Sequence, residues 1–159
     1  MQELGMPELI SSQDHDKGER LKLVLNLTNV ERPEAWEGWM IYEISLVADG
    51  DVLATSSHRT MMSDEIIRLC EVLEGSTQDE FEPMEPDFQL IFRPVKSQDV
   101  DEEYEVFVFI NEAVRRREGF YSTDGLGLKL ILDRPTCQEF TRQLRGQFTK
   151  LTTDVYRKQ

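Results

Sequence analysis

The chain has 159 residues, enough for one domain that buries a core without help from disulfides or metal. With 31 acids against 18 Lys and Arg the net charge is −13, which repels nucleic-acid phosphates and anionic membranes and favours a basic protein partner, or simple solubility. No apolar run approaches the roughly 20 residues that span a bilayer, and residues 1–19 lack the apolar core of a secretory signal, so a cytoplasmic location is expected.

Residues 1–19 are polar and aperiodic and read as a mobile leader, with the single folded domain over 20–159. Leu21, Leu23, Leu25 and Leu27 then alternate with other residues, the period of a strand with one buried face. After a loop holding Trp36 and Trp39, residues 40–47 alternate again, and Ala48-Asp49-Gly50-Asp51 is a tight hairpin signal leading to a returning strand over 52–58. A helix is expected from Ser63 as N-cap, with Asp64 and Glu65 in its first turn. Ile66, Ile67, Leu69, Cys70, Val72 and Leu73 would form its apolar stripe and Gly75 its end.

Pro83 and Pro86 keep residues 78–86 extended and out of a central strand. Phe88, Leu90 and Phe92 mark one face of the next strand. Residues 104–110 are apolar on both faces past Glu105, which predicts the central strand of the sheet. A basic turn at Arg115-Arg116-Arg117 and a polar stretch lead to a sixth strand over 126–132. The last element is a long helix, with Thr136 and Glu139 as a capping box and Cys137, Phe140, Leu144, Phe148, Leu151 and Val155 on its docking face. Clustered strands argue for an α+β domain: an antiparallel sheet of about six strands with two helices packed on it, in the order βββαβββα. Cys70 and Cys137 fall inside apolar helical patterns and are expected as buried free thiols.

The chemistry-bearing residue types are sparse. His15 and His58 have no acid or cysteine at a telling spacing, and there is neither a CxxC nor an HExxH motif. Gly125-Leu126-Gly127 enters a strand instead of opening a helix, so it is not a phosphate loop. No catalytic, cofactor-binding or metal-binding residues are assigned, and an enzyme is not expected. What stands out is a cluster of carboxylates at Asp79, Glu80, Glu82, Glu85 and Asp87, interleaved with Phe81, Met84 and Phe88, and a second at Asp99, Asp101, Glu102, Glu103 and Glu105. Such acids either form a solvated surface or steer a basic protein. Paired acids across a cleft would instead suit a hydrolase, which spacing alone cannot show. Trp36 and Trp39 are the second feature, since Trp serves both as a binding hot spot and as a cap on an open core. One of the pair is expected to be buried and the other partly exposed.

The Trp36–Trp39 loop running into Met40-Ile41-Tyr42-Glu43-Ile44, the helix Asp64-Glu65-Ile66-Ile67-Arg68-Leu69, and above all Phe81-Glu82-Pro83-Met84-Glu85-Pro86-Asp87-Phe88 resemble bacterial immunity-type proteins of the WapI group. The acidic leader, the Arg-rich turn and the longer closing helix depart from that pattern. The resemblance implies a cytoplasmic antitoxin that binds and blocks a cognate toxin domain without catalysis. The expected partner surface is Trp36, Trp39, Asp79, Glu80, Glu82, Glu85, Asp87, Asp99, Asp101, Glu102 and Glu103, facing a basic protein, with no nucleic acid or membrane involved. A hydrolase with paired carboxylates and a structural or oligomeric accessory protein are the alternatives.

Overall fold

The computed structural model describes residues 5–11, 20–75, 80–85, 87–94, 103–110, 114–115 and 126–157. Among them the first sheet is built from β1 (Glu8–Ile10), β2 (Leu21–Val30), β3 (Trp39–Ala48), β4 (Asp51–Met62) and the two-residue β8 (Val114–Arg115), hydrogen-bonded in that order. The second sheet runs β5 (Glu80–Phe81), β6 (Phe88–Pro94), β7 (Glu103–Ile110) and β9 (Leu126–Asp133). Every pairing is antiparallel. Helix α1 (Ser63–Leu73) follows β4, and α2 (Arg134–Arg157) closes the chain.

The α+β class and the two helices stand, but the expected single sheet of six strands is two sheets. Each strand's alternation shows only that one face is buried; it does not say which strands share hydrogen bonds. Here α1 and the proline-bearing segment after it separate β4 from β6, and the inward faces of the two sheets meet in one core. Tyr42 of β3 meets Phe88 of β6 edge-on at 5.7 Å, and Phe88 meets Phe81 at 5.6 Å. Leu23, Leu25, Ile44 and Leu46 from one sheet and Leu90, Val106, Val108 and Leu130 from the other join the same cluster. Cys70 of α1 and Cys137 and Phe140 of α2 complete it, with both cysteines free and buried.

The fold also reaches into the expected leader. Leu9 is fully buried, β1 pairs with β2, and Ser11 Oγ accepts the Ile131 N–H of β9 at 3.2 Å, so the sheets adjoin on that side. A three-residue strand is too short to show a period, which hid it in the sequence. Arg115 of the expected basic turn lies in β8 beside Ala54. The Asp49-Gly50 hairpin has positive φ at both positions (47° and 86°), as its tight turn demands. Gln147 of α2 accepts the Leu27 N–H at 3.0 Å, satisfying a donor on β2 where β1 no longer covers it.

Both helix caps lie N-terminal of expectation, by one residue at α1 and by three at α2, whose first residue is Arg134. Ser63 is the first helical residue and Met62 the cap; the Glu65 carboxylate accepts the Met62 N–H at 2.8 Å. Ser63 instead donates its hydroxyl to Gly38 O at 2.9 Å. In α2 the orphan Thr136 N–H is taken by Asp133 Oδ1 at 2.9 Å, and Glu139 pairs outward with Arg142. Ile67 leaves the α1 stripe and is 41% exposed.

Candidate functional site

Three segments far apart in sequence gather at the start of α1. The first is the Trp loop. Glu31 N–H donates to Trp39 O at 2.9 Å and Trp36 Nε1 donates to the same oxygen at 3.1 Å, so the loop closes on itself over a short 3-10 turn, Pro33–Ala35. Both tryptophans are half-buried, against the expectation of one buried and one partly exposed. Trp36 packs on the core, while Trp39 opens β3 and lines a shallow hollow of ≈210 Å³ with Glu31, Arg32 and Glu37.

The second segment is the β4–α1 junction. Trp39 pairs with Met62, and Ser63 N–H donates to Gly38 O at 2.9 Å. The third is the strap, residues 82–85 and 87. Glu65, only 7% exposed, joins it to the junction: one carboxylate oxygen takes the Met62 N–H and the other the Met84 N–H. Arg68, one turn on from Asp64, donates to Glu82 O at 2.8 Å and lies 5.1 Å over the Phe81 ring. Thr60 donates to Glu85 Oε2 at 3.0 Å. The buried Phe81 anchors the strap at one end and Phe88 at the other.

The strap presents one large apolar side chain between two exposed acids. Met84 stands out of the strap at 75% exposure. Glu82 and Glu85 flank it in sequence, and Asp64, Glu34 and Glu37 are exposed on the two neighbouring segments. Of the expected partner residues, Trp36, Trp39, Glu82 and Glu85 come together here. Asp87 does not present an open charge. Its carboxylate pairs with Arg59 at 3.2 Å and receives the Tyr42 hydroxyl at 3.4 Å, and only 14% of its side chain is exposed. Burial first, then the Asp87 charge, pushes the Tyr42 phenol well above its ordinary pKa, so it stays protonated as the donor. Glu80 points the opposite way from Phe81, onto the outward face of the second sheet, and Glu103 opens β7 opposite Asp133. Asp79, Asp99, Asp101 and Glu102 lie outside the described residues.

Arg59 reaches Asp87 because β4 carries a bulge. Ser57 and His58 together face Glu43 alone, and His58 takes a left-handed φ of 56°. The bulge re-aims the strand so that Arg59 donates to buried Ser56 Oγ at 2.7 Å and pairs with Asp87.

Sequence reasoning assigned no binding role to Met84, Ile67 or Arg68, and none to Glu65 beyond the helix dipole. The available signal was a lone large apolar residue between two Glu-Pro units. β7 is interior to its sheet, as its apolar run predicts, and its Phe107 and Phe109 emerge on an outward face at 37% and 36% exposure. A uniformly apolar strand needs a cover on both faces, and the sequence order supplies two helices for two sheets. Among the described residues no helix is long and apolar enough to cross a membrane. No family model, no curated protein and no solved structure matches the chain.

Proposed function

We propose that this chain is a non-catalytic protein-binding domain, an immunity-type protein that neutralises a basic toxin domain through the end where the Trp loop, the start of α1 and the strap meet. The observation that carries the reading is Met84: a large apolar side chain 75% exposed, with its own backbone N–H held on the buried Glu65 carboxylate. An anchor offered on an immobilised backbone loses little freedom on binding. Met is enriched at the centres of interfaces and adapts to irregular partners. The exposed acids around it steer a basic partner, and the net charge of −13 extends that attraction beyond contact range.

The test is co-expression with the protein encoded by the adjoining gene. Growth arrest caused by that protein is relieved by this chain and not by Met84→Asp, whose circular dichroism matches the parent. A neighbour that is harmless, or relief that survives Met84→Asp together with Glu82→Lys and Glu85→Lys, overturns the reading.

A further inference from the structure

The second sheet has an inward face that fills the core and an outward face with its own pattern. The strand register places outward residues in cross-strand rows. One row is Glu80, Ile91, Phe107, Lys129, from β5 to β9. Its neighbours are Gln89, Phe109, Gly127 and Arg93, Glu105, Ile131. Phe107 and Phe109 line a shallow groove of ≈270 Å³ with Gln89, Ile91, Leu128 and Lys129. Phe109 lies against Gly127, where an added Cβ would stand 3.1 Å from the ring.

We propose that this face docks on the same face of a second copy of the chain. The rows are self-complementary under a two-fold axis that lies between the facing sheets, parallel to the strands and midway between β6 and β7. That operation keeps each row and reverses its order. Glu80 then meets Lys129 of the other copy, and Ile91 meets its Phe107. Gln89 meets Phe109, and Arg93 meets Glu105. Each of the four cross-copy pairings matches charge with opposite charge or pairs an aromatic ring with an apolar or amide group. Each also occurs twice, as a two-fold interface requires.

Charge favours a second copy over a basic partner at this face. Arg93 and Lys129 balance Glu80 and Glu105 there, although the whole chain carries −13. Glu103 and Asp133 sit together at the far end of the sheet, beyond the row of Arg93 and Glu105. Two like-charged molecules therefore meet across a locally neutral centre. With strands about 4.8 Å apart, four strands and three rows bury less than about 1,200 Å² in total, the range of transient contacts. The dimer is weak and concentration-dependent. It tightens as salt is raised to about 0.15 M, where the Debye length of about 8 Å screens long-range repulsion while leaving close pairs.

Sedimentation of the full chain over a concentration series tests this. The parent shifts from monomer towards dimer at high micromolar concentration. Phe107→Ser, Lys129→Glu and Glu80→Lys each hold it monomeric at that concentration. The variant with both charge changes dimerises again. An equimolar mixture of the two single charge variants also dimerises, since their unlike pairs re-form across the mixed contact. A parent that stays monomeric to about 1 mM, or a dimer indifferent to the single reversals, overturns the proposal. Met84→Asp leaves the dimer unchanged, so failure here and failure of the toxin-binding reading are separate results.

Discussion

Replacing Glu65 tests the joint on which the candidate site is built. The carboxylate is 7% exposed and accepts two backbone N–H groups, Met62 at the helix cap and Met84 in the strap. Hydrogen bonds to a charged group contribute about 1.5–3 kcal/mol each, and a lost cap about 0.5–2 kcal/mol. Both donors are only partly buried, so water recovers some of the loss when the acceptor goes. Glu65→Ala therefore destabilises by about 2–4 kcal/mol, and Glu65→Gln, which keeps one acceptor oxygen but turns an NH₂ towards the other donor, by about 1–2 kcal/mol. For a chain of this length that lowers Tm by roughly 5–15 °C in the Ala variant. The urea midpoint falls with an unchanged slope. Native-state hydrogen exchange reads the local part: the Met84 amide accelerates by more than the global loss of stability explains. A loss under about 0.5 kcal/mol in Glu65→Ala, with Met84 exchange as in the parent, would refute the clamp.

Other consequences concern the core and the bulge. Burial pushes the Cys70 thiol up to about 11 and the Cys137 thiol up to about 12, from an ordinary 9.0. The unfolded chain releases these protons first, so their contribution is whole below pH 9 and falls as pH rises towards 11, by on the order of 1 kcal/mol per pH unit for each thiol. Tyr42 acts with the same sign. Urea midpoints measured at pH 8 and pH 10.5 drop accordingly, and the drop shrinks in Cys70→Ala with Cys137→Ala; a midpoint flat with pH contradicts it. At the bulge, His58 is exposed and left-handed, so His58→Gly is neutral or stabilising by up to about 1 kcal/mol, whereas His58→Val costs about 1–2 kcal/mol. Equal stability of the two variants in thermal melts would remove the strain argument. Phe140→Ala, at a fully buried ring of α2, costs about 3–5 kcal/mol in the same melts, and a loss below about 1 kcal/mol contradicts that packing.

Legibility in the sequence follows the physics of each signal. The alternation of Leu21 to Leu27, the Asp49-Gly50 turn and the spacing of Cys137, Phe140 and Leu144 each depend on local backbone geometry, and each is where the pattern puts it. The division into two sheets depends on contacts such as Tyr42 on Phe88, between residues whose separation leaves no period to read. Charge composition marked the strap, but not the direction of each acid. Asp87 turns inward because a bulge sixteen positions past Tyr42 brings Arg59 to it. Glu65 looked like an ordinary first-turn acid, since its second partner, Met84, is nineteen residues on. Trp36, Trp39, Glu82 and Glu85 stand out in the chain as candidate partner residues; the exposure of Met84 between the last two required the fold.

The most direct measurement is hydrogen exchange on this chain alone and in complex with the protein encoded by the adjoining gene. Slowed exchange concentrated in residues 34–39, 62–68 and 82–85 is the predicted result. Absence of a complex, or protection elsewhere while Met84 and Trp39 exchange as in the free chain, would contradict the assignment of this end of the molecule as the binding surface.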